Sequence, residues 1–131
     1  VSRIKQAGIT AVLNLQTDRD FSVIGIDWPL LEREYHRLGI AAYRCPIIDF
    51  DDDDMKSRLA ATASTLNGML QNQHCVYVHC TAGKQRSPSV VIGYLAWHRE
   101  VALDRAVQLV MQARECDPPV HVIESVDALQ N

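Results

Sequence analysis

Val76-Tyr77-Val78-His79-Cys80-Thr81-Ala82-Gly83-Lys84-Gln85-Arg86-Ser87-Pro88-Ser89-Val90 is the stretch that decides the fold. A short β-branched run enters a tight polar loop, and a helical pattern leaves it through Tyr94, Leu95 and Trp97. A strand that turns directly into a helix aims free backbone N–H groups, and the positive end of the helix dipole, at one small volume. An anion belongs there. Gly83 lets the backbone curl closely around it, and Arg86 offers a planar fork of donors that matches two phosphate oxygens. The same donors stabilise negative charge on the Cys80 sulfur, so the loop is read as binding phosphate and arming an attacking thiolate together. Ser87 stands where it can donate a hydrogen bond to that sulfur as it leaves, and Pro88 suits the first helical turn. The bland alternative is a buried structural cysteine with an arginine nearby by chance. It leaves Gly83, Ser87 and Pro88 without their separate jobs.

His-Cys-x-x-Gly-x-x-Arg-Ser resembles the signature of cysteine-dependent phosphatases. His79-Cys80-Thr81-Ala82-Gly83 followed by Arg86 is most similar to the plant glucan phosphatases within the dual-specificity group. Those more often have Gly-x-Gly-Arg where this chain has Gly83-Lys84-Gln85-Arg86, so Gln85 changes the floor of the pocket. The resemblance covers nearly the whole chain, but only Cys80 to Ser87 is highly specific. It implies that residues 1–131 form one dual-specificity phosphatase-like catalytic domain, and that Thr81, Ala82, Gly83, Lys84 and Gln85, with Phe50, make up the substrate-binding surface. Relatives begin with another strand or two, which implies a shortened N-terminus here.

At 131 residues the chain is long enough for one core with a sheet and several helices. A net charge of −3 argues against a nucleic-acid footprint. No apolar run is long enough to span a membrane, and no signal-peptide pattern opens the chain. Cys45, Cys75, Cys80 and Cys116 show no metal-like spacing, so neither a metal nor another cofactor is expected. A phosphatase of this kind needs a free thiolate, which implies an intracellular, cytoplasmic setting, or a plastid if a transit peptide has been removed. A monomer is expected.

In chain order, Ser2 to Ala7 reads as a helix end closed by Gly8, and Ile9 to Leu15 as a buried parallel strand. Asn14 interrupts that strand, either as a brace for the phosphate loop, as the resemblance implies, or as an ordinary strand-end residue. Cys75 and Cys45 are read as small core residues in preference to resolving thiols. Gln16 to Ile26 is read as a loop, and Asp27 as the cap of a helix carrying Trp28, Leu31, Tyr35 and Leu38 on its apolar face up to Gly39. The resemblance implies aromatic rings from the preceding stretch along a sugar channel. Here that stretch is Phe21-Ser22-Val23-Ile24-Gly25, and Phe21 is expected in the core or anchoring the loop.

Ile40 to Ile48 reads as the next strand, followed at once by Asp49-Phe50-Asp51-Asp52-Asp53-Asp54. Dephosphorylation by cysteine needs an acid to protonate the leaving oxygen and then a base to activate water, and one carboxyl can serve both steps. Asp49 ends the strand and matches the family's acid position; Asp51 is the fallback, or opens a helix with Asp52 to Asp54. Phe50 matches an aromatic of the glucan-specific relatives and either lines the channel or packs the loop down. Helices follow at Met55 to Leu70, with Leu59, Thr62 and Leu66 inward, then at Ser87 to His98 and Leu103 to Arg114, with a last amphipathic segment at His121 to Leu129. Trp97 is placed in the core. Asp117 stands where glucan-binding relatives place an aromatic.

Alternating strands and helices predict an α/β domain with a mostly parallel central sheet flanked by helices. The leading expectation is phosphomonoester hydrolysis through a phosphocysteine on Cys80, with Arg86, Asp49 and Ser87 in support and a phosphorylated protein or phosphoglucan as substrate. The alternative is a phosphate-binding pseudophosphatase acting as an interaction module. A sulfurtransferase is weakened by Ser87-Pro88 and the upstream acid, and a low-molecular-weight phosphatase by the position of Cys80 far from the N-terminus.

Overall fold

A computed structural model describes residues 1–130. Three strands, β1 (Ala11–Asn14), β2 (Ala41–Arg44) and β3 (Val76–His79), form a parallel sheet in the order β2-β1-β3. Seven helices surround it: α1 (Ser2–Gln6), α2 (Asp18–Ile24), α3 (Trp28–Arg37), α4 (Asp52–Gln71), α5 (Arg86–His98), α6 (Leu103–Ala113) and α7 (Val120–Asp127). Among the described residues no helix is long and apolar enough to cross a membrane.

The central strand is buried on both faces, and its alternation divides the core. Ala11, Leu13 and the following Leu15 join Leu59, Leu66, Ile92 and Ile123 in the larger apolar cluster, while Val12 joins Tyr35 and Ile40 on the opposite face. The inward positions expected on α4, Leu59, Thr62 and Leu66, are buried, and Met69 is buried with them. Trp97 also packs against the larger cluster, and its indole N–H is held by Asp127 at 2.8 Å. Because the strands are parallel and Asn14 pairs with both Arg44 and His79, the three following loops leave the same edge side by side.

The structure differs from the sequence reading in three places. β1 and β2 are shorter than expected: regular pairing ends at Asn14 and Arg44, and beyond it only single bonds follow, from the Cys45 N–H to the Asn14 carbonyl at 2.9 Å and from the Ile47 N–H to the Leu15 carbonyl at 3.0 Å. The stretch taken as a loop contains helix α2. Thr17 and Asp20 cap it reciprocally, and Gly25 ends it at a left-handed φ of 77°. Cys75 is exposed instead of belonging to the core. It shares the side of edge strand β3 taken by the exposed Tyr77, whereas Val76 and Val78 pack on the helix-covered side. Between the two roles left open for Asp51 the structure decides: it caps α4 by accepting from the Asp54 N–H at 2.9 Å, and Asp52 to Asp54 fill the first turn. The helix-opening reading of that acidic run is the correct one.

At the strand ends Asn14 Nδ2 donates to His79 Nε2 at 3.2 Å and to Gln16 Oε1 at 3.0 Å, while its Oδ1 accepts from the Gln16 N–H at 2.7 Å. Burial pushes the His79 pKa below its ordinary 6.5, against a hydrogen bond to the Cys80 backbone that raises it. Since His79 is harder to protonate in the folded chain, the unfolded chain gains the proton first as pH falls. Its contribution to stability is therefore complete above about pH 6.5 and declines as pH drops below that toward the folded-state value. His79→Asn is expected to flatten the pH dependence of urea-unfolding stability between about pH 7.5 and 5.5 relative to wild type. Asp51→Ala is expected to lower that stability at neutral pH by about 1 kcal/mol, through the lost cap.

Candidate active site

The loop from Cys80 to Gln85 joins the end of β3 to the start of α5 in a run of bends. Gln85 is the N-cap of α5 and makes no side-chain cap bond, so the first-turn N–H groups of the helix stay directed at the loop. Gly83 has a φ of 69°, and a Cβ there would meet Arg114 Nη2 at 2.8 Å. The left-handed backbone is what favours glycine here; the guanidinium against it is the end of a flexible side chain and can yield to a Cβ. Lys84 is exposed with its Nζ 3.8 Å from Glu115, and its carbonyl accepts from the Asp117 N–H at 2.9 Å. This bond ties the loop to the segment after α6.

Cys80 is 7 % exposed, and its Sγ lies 3.4 Å from Ser87 Oγ. Arg86 is almost wholly buried. Its Nη1 donates to Asp20 Oδ2 at 2.7 Å and to the Ile47 carbonyl at 2.8 Å, with the Leu15 carbonyl at 3.5 Å. Nη2 reaches Thr81 Oγ1 at 3.4 Å, and that hydroxyl also accepts from Gln16 Nε2 at 3.1 Å. Nε is buried and, among the described residues, has no hydrogen-bond partner. Asp49 Oδ1 stands 3.4 Å from it, near enough to attract but without hydrogen-bond geometry. An unsatisfied buried donor costs about 1–3 kcal/mol, so one edge of a charged fork is held ready for an acceptor.

The structure therefore brings Cys80, Ser87, Arg86, Asp49 and Thr81 to one place at the C-terminal edge of the sheet. Asn14 braces the loop, directly through His79 and through Gln16 on to Thr81. A cleft beside the loop is lined by Asp20, Val23, Ile24, Ile48, Asp49 and Thr81. Phe50 has a left-handed φ of 57° and is 81 % exposed, so it does not pack its loop down. Together with Gln85, Asp117 and His121 it lines a separate groove. Phe21 is buried, stacked on Trp28 at 5.5 Å with the Arg44 guanidinium 4.5 Å over its face, and so anchors α2. Cys75 precedes β3 and Cys80 follows it, so they lie about 16 Å apart along the chain direction, too far to form a disulfide. Burial raises the pKa of Cys45, partly offset by a hydrogen bond with Thr65.

Sequence reasoning missed Asp20. The Thr17-x-x-Asp20 spacing signals a capping box, but nothing in it announces that the same carboxylate reaches an arginine 66 positions away. It also missed Gln16 against Thr81, and Arg114 against Gly83.

Residues 1–126 match the family described as the dual specificity phosphatase catalytic domain. Among characterised relatives, the amyloplastic phosphoglucan phosphatase DSP4 of Castanea sativa is 34% identical over 131 residues, which is 98% of this chain and 35% of that protein. The chloroplastic phosphoglucan phosphatase LSF1 of Arabidopsis thaliana is 32% identical over 118 residues, 90% of this chain and 20% of the relative. This chain thus spans only a fifth to about a third of these two relatives. The crystal structure of human DUSP28 superposes with a TM-score of 0.71 at 22% identity, covering 98% of this chain and 85% of the other, a likeness of fold alone. With the family match running through both strand-end loops and the cysteine loop, the chain belongs to the dual specificity phosphatase catalytic-domain family.

Proposed function

We propose that residues 1–131 form a catalytic unit that hydrolyses phosphomonoesters through a phosphocysteine. The observation that carries this is the Arg86 edge: a buried, unpartnered Nε beside Asp49, in a loop whose Cys80 sulfur faces the Ser87 hydroxyl. Two phosphate oxygens would satisfy Nε and Nη2 together, and the loop N–H groups would take the remaining negative charge. In the first step the Cys80 thiolate attacks phosphorus, the ester P–O bond breaks, and protonated Asp49 gives its proton to the leaving oxygen. Water then attacks phosphorus, Asp49 takes its proton, and the S–P bond breaks with the Ser87 hydroxyl donating to the departing sulfur. The net change is ester plus water to alcohol plus phosphate. The reaction uses no metal, and the free thiolate it requires suits a reducing compartment, cytoplasm or plastid.

Two substrate readings each rest on an observation. The exposed Phe50 ring, one residue from the acid, favours a phosphorylated glucan, because the apolar face of a sugar ring can cover an aromatic face. The aliphatic lip of Val23, Ile24 and Ile48, all exposed at the cleft, favours an apolar residue beside the phosphate of a phosphoprotein.

Phosphate release from a generic aryl phosphate is expected from the reduced wild type and not from Cys80→Ser; absence of turnover by freshly reduced wild type would support the pseudophosphatase alternative. Asp49→Asn is expected to lower kcat by about 100-fold or more for substrates with poor leaving groups, and less for an activated aryl ester that needs no protonation. Comparing kcat/KM on phosphorylated amylopectin with that on phosphotyrosine and phosphoserine peptides separates the substrate readings. A glucan enzyme is expected to lose efficiency on amylopectin, and not on the aryl phosphate, when Phe50 becomes Ala; equal wild-type rates on all three substrates would sink both specific readings.

A further inference from the structure

The Arg86 guanidinium has two carboxylates beside it, and they stand at different edges. Asp49 Oδ1 faces Nε at 3.4 Å, whereas Asp20 Oδ2 accepts from Nη1 at 2.7 Å. Nη1 also has the Ile47 and Leu15 carbonyls within reach, so its donors are fully engaged by fixed acceptors. The opposite edge, Nε with Nη2, carries the buried N–H without a partner. Such an asymmetry fixes which side of a flat, otherwise rotatable group can meet a ligand.

We propose that Asp20 is a positioning residue of the active site: by pinning Nη1 it keeps the Nε and Nη2 edge of Arg86 turned toward the transferring phosphoryl group. This rests on the phosphatase reading above and adds to it a residue outside the cysteine loop. The two backbone carbonyls alone would hold Nη1 with neutral acceptors, while the carboxylate makes a charge-assisted bond roughly twice as strong and compensates a cation that is otherwise buried.

Asp20 is itself held. Its Oδ2 takes the Thr17 N–H at 2.9 Å, and the Thr17 hydroxyl accepts the Asp20 N–H at 3.2 Å. Helix α2 is fastened to β2 by Arg44, which bonds Asp18 at 3.0 Å and the Gln16 carbonyl at 2.8 Å and covers the Phe21 ring. Burial raises the Asp20 pKa, but the hydrogen bonds from Arg86 and from the Thr17 backbone outweigh it and leave the carboxyl below its ordinary value. The group is therefore charged whenever the enzyme works near neutral pH.

The test separates pinning from helix capping. Asp20→Asn keeps an oxygen for the cap and removes the charge, whereas Thr17→Val removes the cap hydroxyl and leaves the carboxylate on Arg86. Turnover of an aryl phosphate and binding of inorganic phosphate by calorimetry are measured on wild type and both variants, with thermal unfolding as the control. D20N is expected to lose about 10- to 100-fold in kcat and about 10-fold in phosphate affinity, while T17V stays within about twofold of wild type in both. Wild-type turnover and phosphate binding in D20N, or equal losses in D20N and T17V, would overturn the proposal. If wild type turns over nothing, the phosphatase reading fails separately, and phosphate affinity still decides the role of Asp20 by the same comparison. Should D20N not fold, Asp20→Glu takes its place, since Glu suits the capping box but shifts the carboxylate by one methylene: the same losses support pinning, and wild-type values overturn it.

Discussion

A buried guanidinium must be surrounded by acceptors, and that requirement ties this domain together. Arg86 opens α5, yet its donors reach the carbonyls of Leu15 and Ile47, the carboxylate of Asp20 and the hydroxyl of Thr81. Those groups lie on the segments that follow β1, β2 and β3, Asp20 on helix α2 and the others on loops. An uncompensated charge at that depth would cost several kcal/mol, so the three loops are held in one arrangement or the charge is left unpaired. Among the described residues, Nε is the nitrogen of Arg86 left without a hydrogen-bond partner.

The parallel sheet makes this convergence possible. In a parallel sheet every strand delivers its following loop to the same edge, and the register aligns Asn14, Arg44 and His79 there. Arg44 and Asn14 do the local fastening. Arg44 clamps α2 through Asp18, the Gln16 carbonyl and the face of Phe21, and Asn14 joins His79 to Gln16. On the far side of the cysteine loop, Arg114 lies against Gly83 and the Asp117 N–H holds the Lys84 carbonyl. The loop is thus buttressed from both directions by contacts within the chain.

Much of this was legible one segment at a time. Asp27 with Pro29 announced α3, and the spacing of Leu59, Thr62 and Leu66 announced α4. Helix α2 is hard to see in sequence although Thr17 and Asp20 have the spacing of a capping box, because seven residues carry too little periodicity. The apolar pattern of β2 runs on through Ile47 and Ile48, but regular pairing with β1 ends at Arg44 and only the Cys45 and Ile47 N–H groups still reach the end of β1. The usual behaviour of cysteine puts Cys75 in the core, whereas its side of an edge strand is the one the helices do not cover.

The sequence by itself determined the α/β class, the helices from α3 onward and the strand–loop–helix setting of Cys80 to Ser87, since each depends on residues within a turn or two of one another. Only the tertiary structure decided that Asp20 would meet Arg86, that Gln16 would hold Thr81, and that Phe50 would stand in solvent. Such contacts join residues some 65 positions apart. No local preference encodes them; they follow from the order of strands in the sheet and from a buried charge that must find its partners.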